Sequence, residues 1–372
     1  MPDASDSQHR GGLPGLLHRA LGIPAGRPLA LPLLAIAGAG AVLAAGYAYA
    51  AGWLTPQRLT PARIVKGFDD DFGVHPGLRR NHAKGTCVTG YFDGSGLGSA
   101  YSSAAVFARV RTPVTGRFAI PGGNPAVPDA SSPVRSLALL FQLPNGAQWR
   151  TGMNSTPVFA TNTPQGFYDG LLAARPDPAT GKPDPARMKA YADAHPESAP
   201  FRAWVKAHPG SSSFVSTRFY SINAFRLIDA AGTTHLARWS VVPEAPAAPL
   251  APAAAGDPNV LQEDLAARLQ QGPARWRLEL QLAAPGDPED DATRAWPEDR
   301  KVVDAGVLTL ERASTQDDGP CRDVNFDPTI LPTGIRISSD PLLAARAGAY
   351  SRSYNQRSAE QAALHAAQGG AR

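Results

Sequence analysis

Arg79-Arg80-Asn81-His82-Ala83-Lys84-Gly85, followed at once by Thr86-Cys87-Val88-Thr89-Gly90-Tyr91-Phe92, is the stretch on which the reading of this chain turns. The second half is rich in β-branched and aromatic residues and predicts a strand. The first half sets a histidine and two arginines at the mouth of that strand. Histidine exchanges protons near neutral pH, and cations beside it suit an anionic ligand. A lone histidine more often serves structure than catalysis, so the residues downstream decide what this one does.

The chain has 372 residues, enough for one large domain or two of medium size, with a substantial buried core. A net charge of +4 is mildly basic, but the basic residues are scattered among acidic ones, which excludes a nucleic-acid stripe. Glycine and proline, 36 of each, are spread throughout and argue for a turn-rich sheet protein over a helical bundle. Strand-type runs are predicted at 86–92, 104–110, 134–143, 213–228, 276–282 and 307–310. An amphipathic helix is expected over 63–72, closing in Asp69-Asp70-Asp71, whose consecutive side chains do not converge on a metal and read as a solvated turn. A second helix opens at Asp257-Pro258, with Asp as N-cap and Pro at the first helical position, and runs to about residue 271. Residues 243–255, rich in Pro and Ala, form a linker; helical spacing resumes at 341–354, and the tail from Ser358 reads as a fraying helix or disorder.

Residues 29–54 carry no charge, and a helix of that length exceeds the roughly 30 Å hydrocarbon core. This is a membrane segment or a signal sequence. Tyr47, Tyr49 and Trp53 cluster at its far end as interfacial aromatics do, and Ala48-Tyr49-Ala50 has the small-x-small form of a cleavage site. The long preceding segment favours an uncleaved anchor. Arg10, Arg19 and Arg27 before the span nearly balance Arg58, Arg63 and Lys66 after it, so orientation rests on the export layout, an apolar span ahead of one large polar domain. The expected organisation is a tail (1–28), a span (29–54), one domain (60–358) and a C-terminal tail (359–372), with the domain in the periplasm, tethered to the inner membrane or released by cleavage.

Cys87 and Cys321 are the only cysteines, too few for a disulfide scaffold and without metal-ligand spacing. Two unpaired thiols are the expectation, although an exported chain permits a bridge. No phosphate loop, serine elbow or zinc-type histidine pair is present. Near the end, Arg346 stands one helical turn before Tyr350, on the same face. A free phenol titrates near 10, so a phenolate at neutral pH needs a cation or metal beside it, and this arginine supplies one. Read alone, the pair is more simply an arginine resting on a surface tyrosine.

Taken together, Arg79 to Gly85 with Tyr91-Phe92, then Arg117-Phe118, Arg135 to Phe141, Asn154-Ser155-Thr156-Pro157, Ala295-Trp296-Pro297, Phe326-Asp327-Pro328 with Gly334-Ile335, and Arg346 to Tyr350 resemble the haem catalase core, in the same order. The match runs from about residue 66 to 357 and looks most like the small catalase-related peroxidases of bacteria. The resemblance implies an α+β fold, an antiparallel β-barrel with flanking helices, and haem b between the barrel and a helical segment. It makes His82 the distal histidine, Asn154 its distal partner and Tyr350 the axial iron ligand, the role tyrosine has in catalase. It sets Arg346 against the Tyr350 oxygen, Arg79, Arg117 and Arg357 on the haem propionates, for which planar guanidinium forks are suited, and Phe167 on the haem face.

Departures shape the expected activity. Where the family usually has Arg-Phe-Ser, its serine steadying the distal histidine, this chain has Arg117-Phe118-Ala119; Ser351-Arg352-Ser353 replaces a usually acidic stretch. These changes favour a compact, open site and a peroxidase that reduces hydrogen or organic peroxides with a small organic donor, with weak or no catalase activity. A hydroperoxide-rearranging enzyme of the allene oxide synthase kind and a non-catalytic haem-binding module are the alternatives.

Overall fold

The computed structural model describes residues 20–22, 24, 30–55, 58–246 and 256–369, and divides into two units, Met1–Thr60 and Pro61–Arg372. In the first, the uncharged segment forms helix α1 (Ala30–Ala50). Its 21 residues, with a mean hydropathy of 1.8 over an 18-residue window, are long and apolar enough to cross a membrane, a test that a signal sequence also meets. None of them is buried, so α1 is not a core helix of its unit.

The second unit is built on ten strands, all paired antiparallel: β1 (Gly85–Gly94), β2 (Arg111–Ala119), β3 (Ser136–Gln142), β4 (Gln148–Asn154), β5 (Phe219–Tyr220), β6 (Phe225–Ile228), β7 (Thr234–Pro243), β8 (Ala274–Leu282), β9 (Val302–Thr315) and β10 (Ile335–Ile337). The order β7-β5-β4-β3-β2-β1-β9-β8 closes where β8 pairs back with β7, giving an eight-stranded barrel from which β6 and β10 continue. Closure leaves no unpaired edge in the barrel wall. Helices α2 (Pro61–Phe72), α3 (Pro164–Ala173), α4 (Pro185–Ala194), α5 (Ala199–Ala207), α6 (Val260–Gln271) and α7 (Pro341–Gly369) flank it. The expected barrel with flanking helices is the fold the chain adopts.

Strand alternation separates two chemistries. Val88, Phe118, Leu137, Leu139, Phe141, Trp149 and Met153 of β1–β4 turn inward and pack with Trp239 and Trp276 into the main core. The residues between them turn outward, and register aligns them in rows: Gly85, Ala119, Ser136 and Asn154 in one, Cys87, Arg117, Ala138 and Gly152 in the next. This outer face is lined with small residues, so another layer can approach closely.

Three local expectations fail for physical reasons. Residues 104–110 form no strand but a 3₁₀ turn, Ala105–Phe107, which drives Val106 and Phe107 into the core. The strand-type run at 213–228 is paired only at β5 and β6; before them the Thr217 hydroxyl donates to the Ser213 carbonyl at 2.7 Å, a local bond that competes with ladder pairing. Helix α6 begins at Val260, after Asn259, and its Leu261 N–H donates to Asp129 at 2.8 Å, so a residue far along the chain takes the capping role expected of Asp257. Asp257 instead accepts from the Asn259 N–H at 2.8 Å. The tail from Ser358 continues α7 as a helix. Of the expected linker, 247–255 lies outside the described residues. Asp69, Asp70 and Asp71 end α2 and pair separately with Arg80, Lys66 and Arg175.

Candidate active site

His82 lies in the loop before β1 at φ 56, a left-handed conformation uncommon for a side-chain-bearing residue. Asn81 holds it there: its Oδ1 accepts from the His82 N–H and from the Gly122 N–H, each at 2.9 Å. Below it, Arg117 rises from the outer face of β2 and donates to the carbonyls of His82 (2.8 Å) and Ala83 (3.2 Å) and to Gln316. Gly85 makes this path possible, since a Cβ there would sit 2.5 Å from the guanidinium. Burial first, and then the Arg117 charge, push the imidazole down to about 3, with the Ile120 main chain opposing and the charges of Arg346 and Arg79 adding smaller shares. The ring is therefore neutral across the physiological range. Its Nδ1 is buried and has no hydrogen-bond partner among the described residues.

Arg79 and Arg357 converge on one loop. Arg79 donates to the carbonyls of Cys321 (2.9 Å), Arg322 (3.3 Å) and Val324 (2.9 Å), and Arg357, from α7, donates to those of Arg322 and Val324. Arg79, Arg117 and Arg357 thus have main-chain carbonyls and one amide as partners, and no carboxylate. Burial lowers all three, Arg117 to about 9; the neighbouring guanidiniums add to the effect on Arg79 and Arg117. A cavity of about 180 Å³ opens beside Arg79, Gln316, Arg322 and Arg357. Asp323 opposes the effect on Arg79 and Arg357 but forms no ion pair with either among the described residues, and an anionic group placed among the three buried guanidiniums would offset the cost of burying them.

The loop is tethered. Cys87, on the outer face of β1, is joined by a disulfide to Cys321, which corrects the expectation of two free thiols. Composition could not show it, because 234 residues separate the pair. With Leu140, Phe326, Ala138 and Val324, the bridge forms a small apolar cluster against which Tyr350 packs.

Tyr350 and Arg346 extend from α7 onto the same face. Arg346 donates to Asn223 Oδ1 at 2.6 Å and to the Gly152 carbonyl at 3.3 Å, and its Nη2 lies 3.5 Å from the Tyr350 oxygen. A Cβ on Gly152 would come 2.8 Å from that Nη2 and 3.5 Å from the phenol oxygen, so the missing side chain is what lets the pair seat on β4. Asn154 lies two residues further along the strand, on the same face, and its Oδ1 accepts from Ser136 Oγ at 2.7 Å. Phe167, half-buried in α3, stacks on Phe159 (5.9 Å) and touches Phe68 (6.1 Å). Sequence reasoning gave no role to Asn81 and Ser136, which lie within quoted motifs, and missed Asn223 and Gln316, which lie outside them. Arg80, part of the opening motif, is structural and pairs with Asp69 and Glu360.

The Catalase family profile matches residues 77–364, which hold this whole arrangement. The chain belongs to the catalase family. It is 38% identical over 301 residues to the catalase-related peroxidase of Synechococcus elongatus, an overlap of 80% of this chain and 89% of that protein. Against the catalase-related peroxidase of Mycolicibacterium paratuberculosis it is 32% identical over 302 residues, covering 80% of this chain and 95% of the other. A solved bacterial catalase superposes with a TM-score of 0.68 at 22% identity, over 76% of this chain and 58% of its own length. Catalase A from Saccharomyces cerevisiae gives a TM-score of 0.68 at 20% identity, over 76% and 62%. These structures share the fold, and the chain spans about three fifths of their length. Membership makes this catalase-family chain an oxidoreductase acting on peroxide and implies a haem cofactor.

The residues present fit that cofactor. The three guanidiniums are of a kind suited to carboxylates, Gly152 leaves room for a phenol to face the barrel wall, and a neutral imidazole lies in the loop before β1.

Proposed function

We propose that the protein is a haem b-dependent peroxidase that reduces hydrogen peroxide or organic hydroperoxides with a small organic donor, with weak catalase activity. The observation that carries this reading is the convergence of Arg79, Arg117 and Arg357 without a carboxylate partner, on the same barrel flank as the Arg346–Tyr350 pair. Haem, when bound, supplies the electron transfer between peroxide and donor. Tyr350 would hold its iron, Arg346 would be the cation beside the phenol oxygen, and the three arginines the partners of the propionates. Phe167 would pack on the ring face.

His82 and Asn154 handle the substrate. Neutral His82 would accept a proton from one peroxide oxygen and return it to the other, which departs as water or alcohol. The Asn154 amide steers the peroxide by hydrogen bonding. Over a full turnover one peroxide takes two electrons and two protons from the donor, yielding two waters, or alcohol and water from a hydroperoxide.

The disulfide supports an oxidising compartment, and α1 supports export. Both favour the haem domain in the periplasm, held to the inner membrane by residues 29–54 or freed by cleavage. The orphaned Nδ1 of His82 favours one competing reading, a haem-binding module with little turnover.

The test is an absorption spectrum of the purified full chain before and after one equivalent of hydrogen peroxide, followed by an aromatic donor. A ferric, phenolate-ligated spectrum that peroxide changes and the donor restores supports the peroxidase reading. A spectrum that peroxide leaves unmoved supports the binding module, and failure to bind haem refutes the site. Rapid oxygen release without donor oxidation would make the protein a catalase.

A further inference from the structure

The proposed distal groups are served unequally. The row Ala119, Ser136, Asn154 crosses β2, β3 and β4 on the outer face, and directly opposed side chains in such a row lie about 5 Å apart. Ala119 offers only a methyl group. Ser136, 8% exposed, donates its hydroxyl to Asn154 Oδ1 at 2.7 Å, the one side-chain hydrogen bond that Asn154 makes among the described residues. An amide whose oxygen is engaged in this way presents its NH₂, with both donors, on its other side. His82 Nδ1, by contrast, is buried with no partner.

We infer that Ser136 is a positioning residue for the peroxide reaction: its hydroxyl fixes the Asn154 amide so that the NH₂ end meets the substrate. Orientation in this site is thereby invested in the asparagine, and the histidine is left to the backbone constraints of Asn81 and Arg117. A hydroxyl at 136 acts through Asn154 and touches no substrate. The inference rests on Asn154 being the distal partner proposed above.

The experiment compares S136A, S136T, N154A and S136A/N154A in the full-length, haem-loaded protein. Three quantities are read: haem content, the second-order rate with hydrogen peroxide, and cyanide affinity by optical titration, which reports distal hydrogen bonding without turnover. S136A slows the peroxide reaction and weakens cyanide binding by about tenfold, the effect of one hydrogen bond, with haem content unchanged. S136T restores both. The double variant is no slower than N154A alone, because Ser136 acts only through that amide. If S136A does not load haem, S136T against S136V, alike in shape but for the hydroxyl, makes the same comparison. A silent S136A, or effects of S136A and N154A that multiply, overturns the inference. An N154A variant equal to wild type in both rate and cyanide affinity instead refutes Asn154 as the distal partner.

Discussion

Breaking the Cys87–Cys321 bridge tests how the barrel and the arginine receptor are held together. The bond closes a loop spanning 234 residues. The chain-entropy relation gives about 5 kcal/mol for a loop of this size, comparable to the whole stability of many domains, about 5–15 kcal/mol. The bond also has a local role. Cys321, Arg322 and Val324 supply the carbonyls that receive Arg79, and two of the three receive Arg357. The Cys321 N–H itself donates to Cys87 Sγ at 3.2 Å. Reduction should therefore loosen two of the three proposed propionate arginines while leaving Arg117, which is anchored on the His82 loop, in place. The assay is urea unfolding of the full chain, oxidised and reduced, with C87S/C321S as a control insensitive to reductant, together with haem loss to an excess of apoglobin. The expected outcome is a loss of several kcal/mol in unfolding free energy and haem dissociation accelerated by about tenfold or more. Unfolding midpoints and haem-loss rates that coincide in the oxidised and reduced protein, with two free thiols confirmed by mass, would refute the reasoning.

His82→Ala should slow the peroxide reaction by about 10²–10⁴-fold, the usual worth of a general acid–base group, with haem content retained, as stopped-flow and pyridine haemochrome assays would show. The His82 shift also predicts acid sensitivity. The folded ring titrates near 3 and the unfolded one near 6.5, so between these values the unfolded chain binds more protons. Stability of the wild-type apoprotein then falls as pH drops from 6.5 towards 3, by at most about 1.4 kcal/mol per pH unit, and H82A shows a shallower decline in thermal melts across that window. Gly152→Ala places a methyl 2.8 Å from Arg346 Nη2 and should displace the Arg346–Tyr350 pair, lowering haem occupancy in reconstitution titrations while the far-ultraviolet circular dichroism of the barrel is retained.

What was legible in the sequence was what is local. Arg346 and Tyr350 are one helical turn apart, so helix geometry alone pairs them, and the structure has them 3.5 Å apart. The strand β1 was read from its β-branched and aromatic content, and β3 and β8 from short apolar runs bounded by turn residues. Strand β4 was not, because its outward positions include Gly152 and Arg150, residues that serve the neighbouring layer and dilute the apolar pattern. The partners that shape the site are distant in sequence: Asn223 is 123 residues from Arg346, and Gln316 is 199 from Arg117. No spacing rule reaches that far. The run 104–110 misled because its apolar residues Val106 and Phe107 are adjacent and both turn inward through a 3₁₀ turn, where a strand would point them to opposite faces. The disulfide failed for a related reason, since pairing depends on Cα separation in the fold, here 5.3 Å, and not on cysteine count.

Helix α7 is more than the carrier of Tyr350. It also bears Arg357, and one turn later Glu360, which accepts from the Gly77 N–H at 2.8 Å and pairs with Arg80, two residues before His82. Gln361 donates to the Gly77 carbonyl at 3.1 Å. One rigid rod therefore runs from the phenol to a clasp on the histidine loop, about 15 Å further on. It works as a spacer bar: the distance between the two walls of the site is set along a single element. A tag, truncation or fusion placed near residue 360, however far from the chemistry it looks in sequence, would be felt as a change in the width of the proposed site.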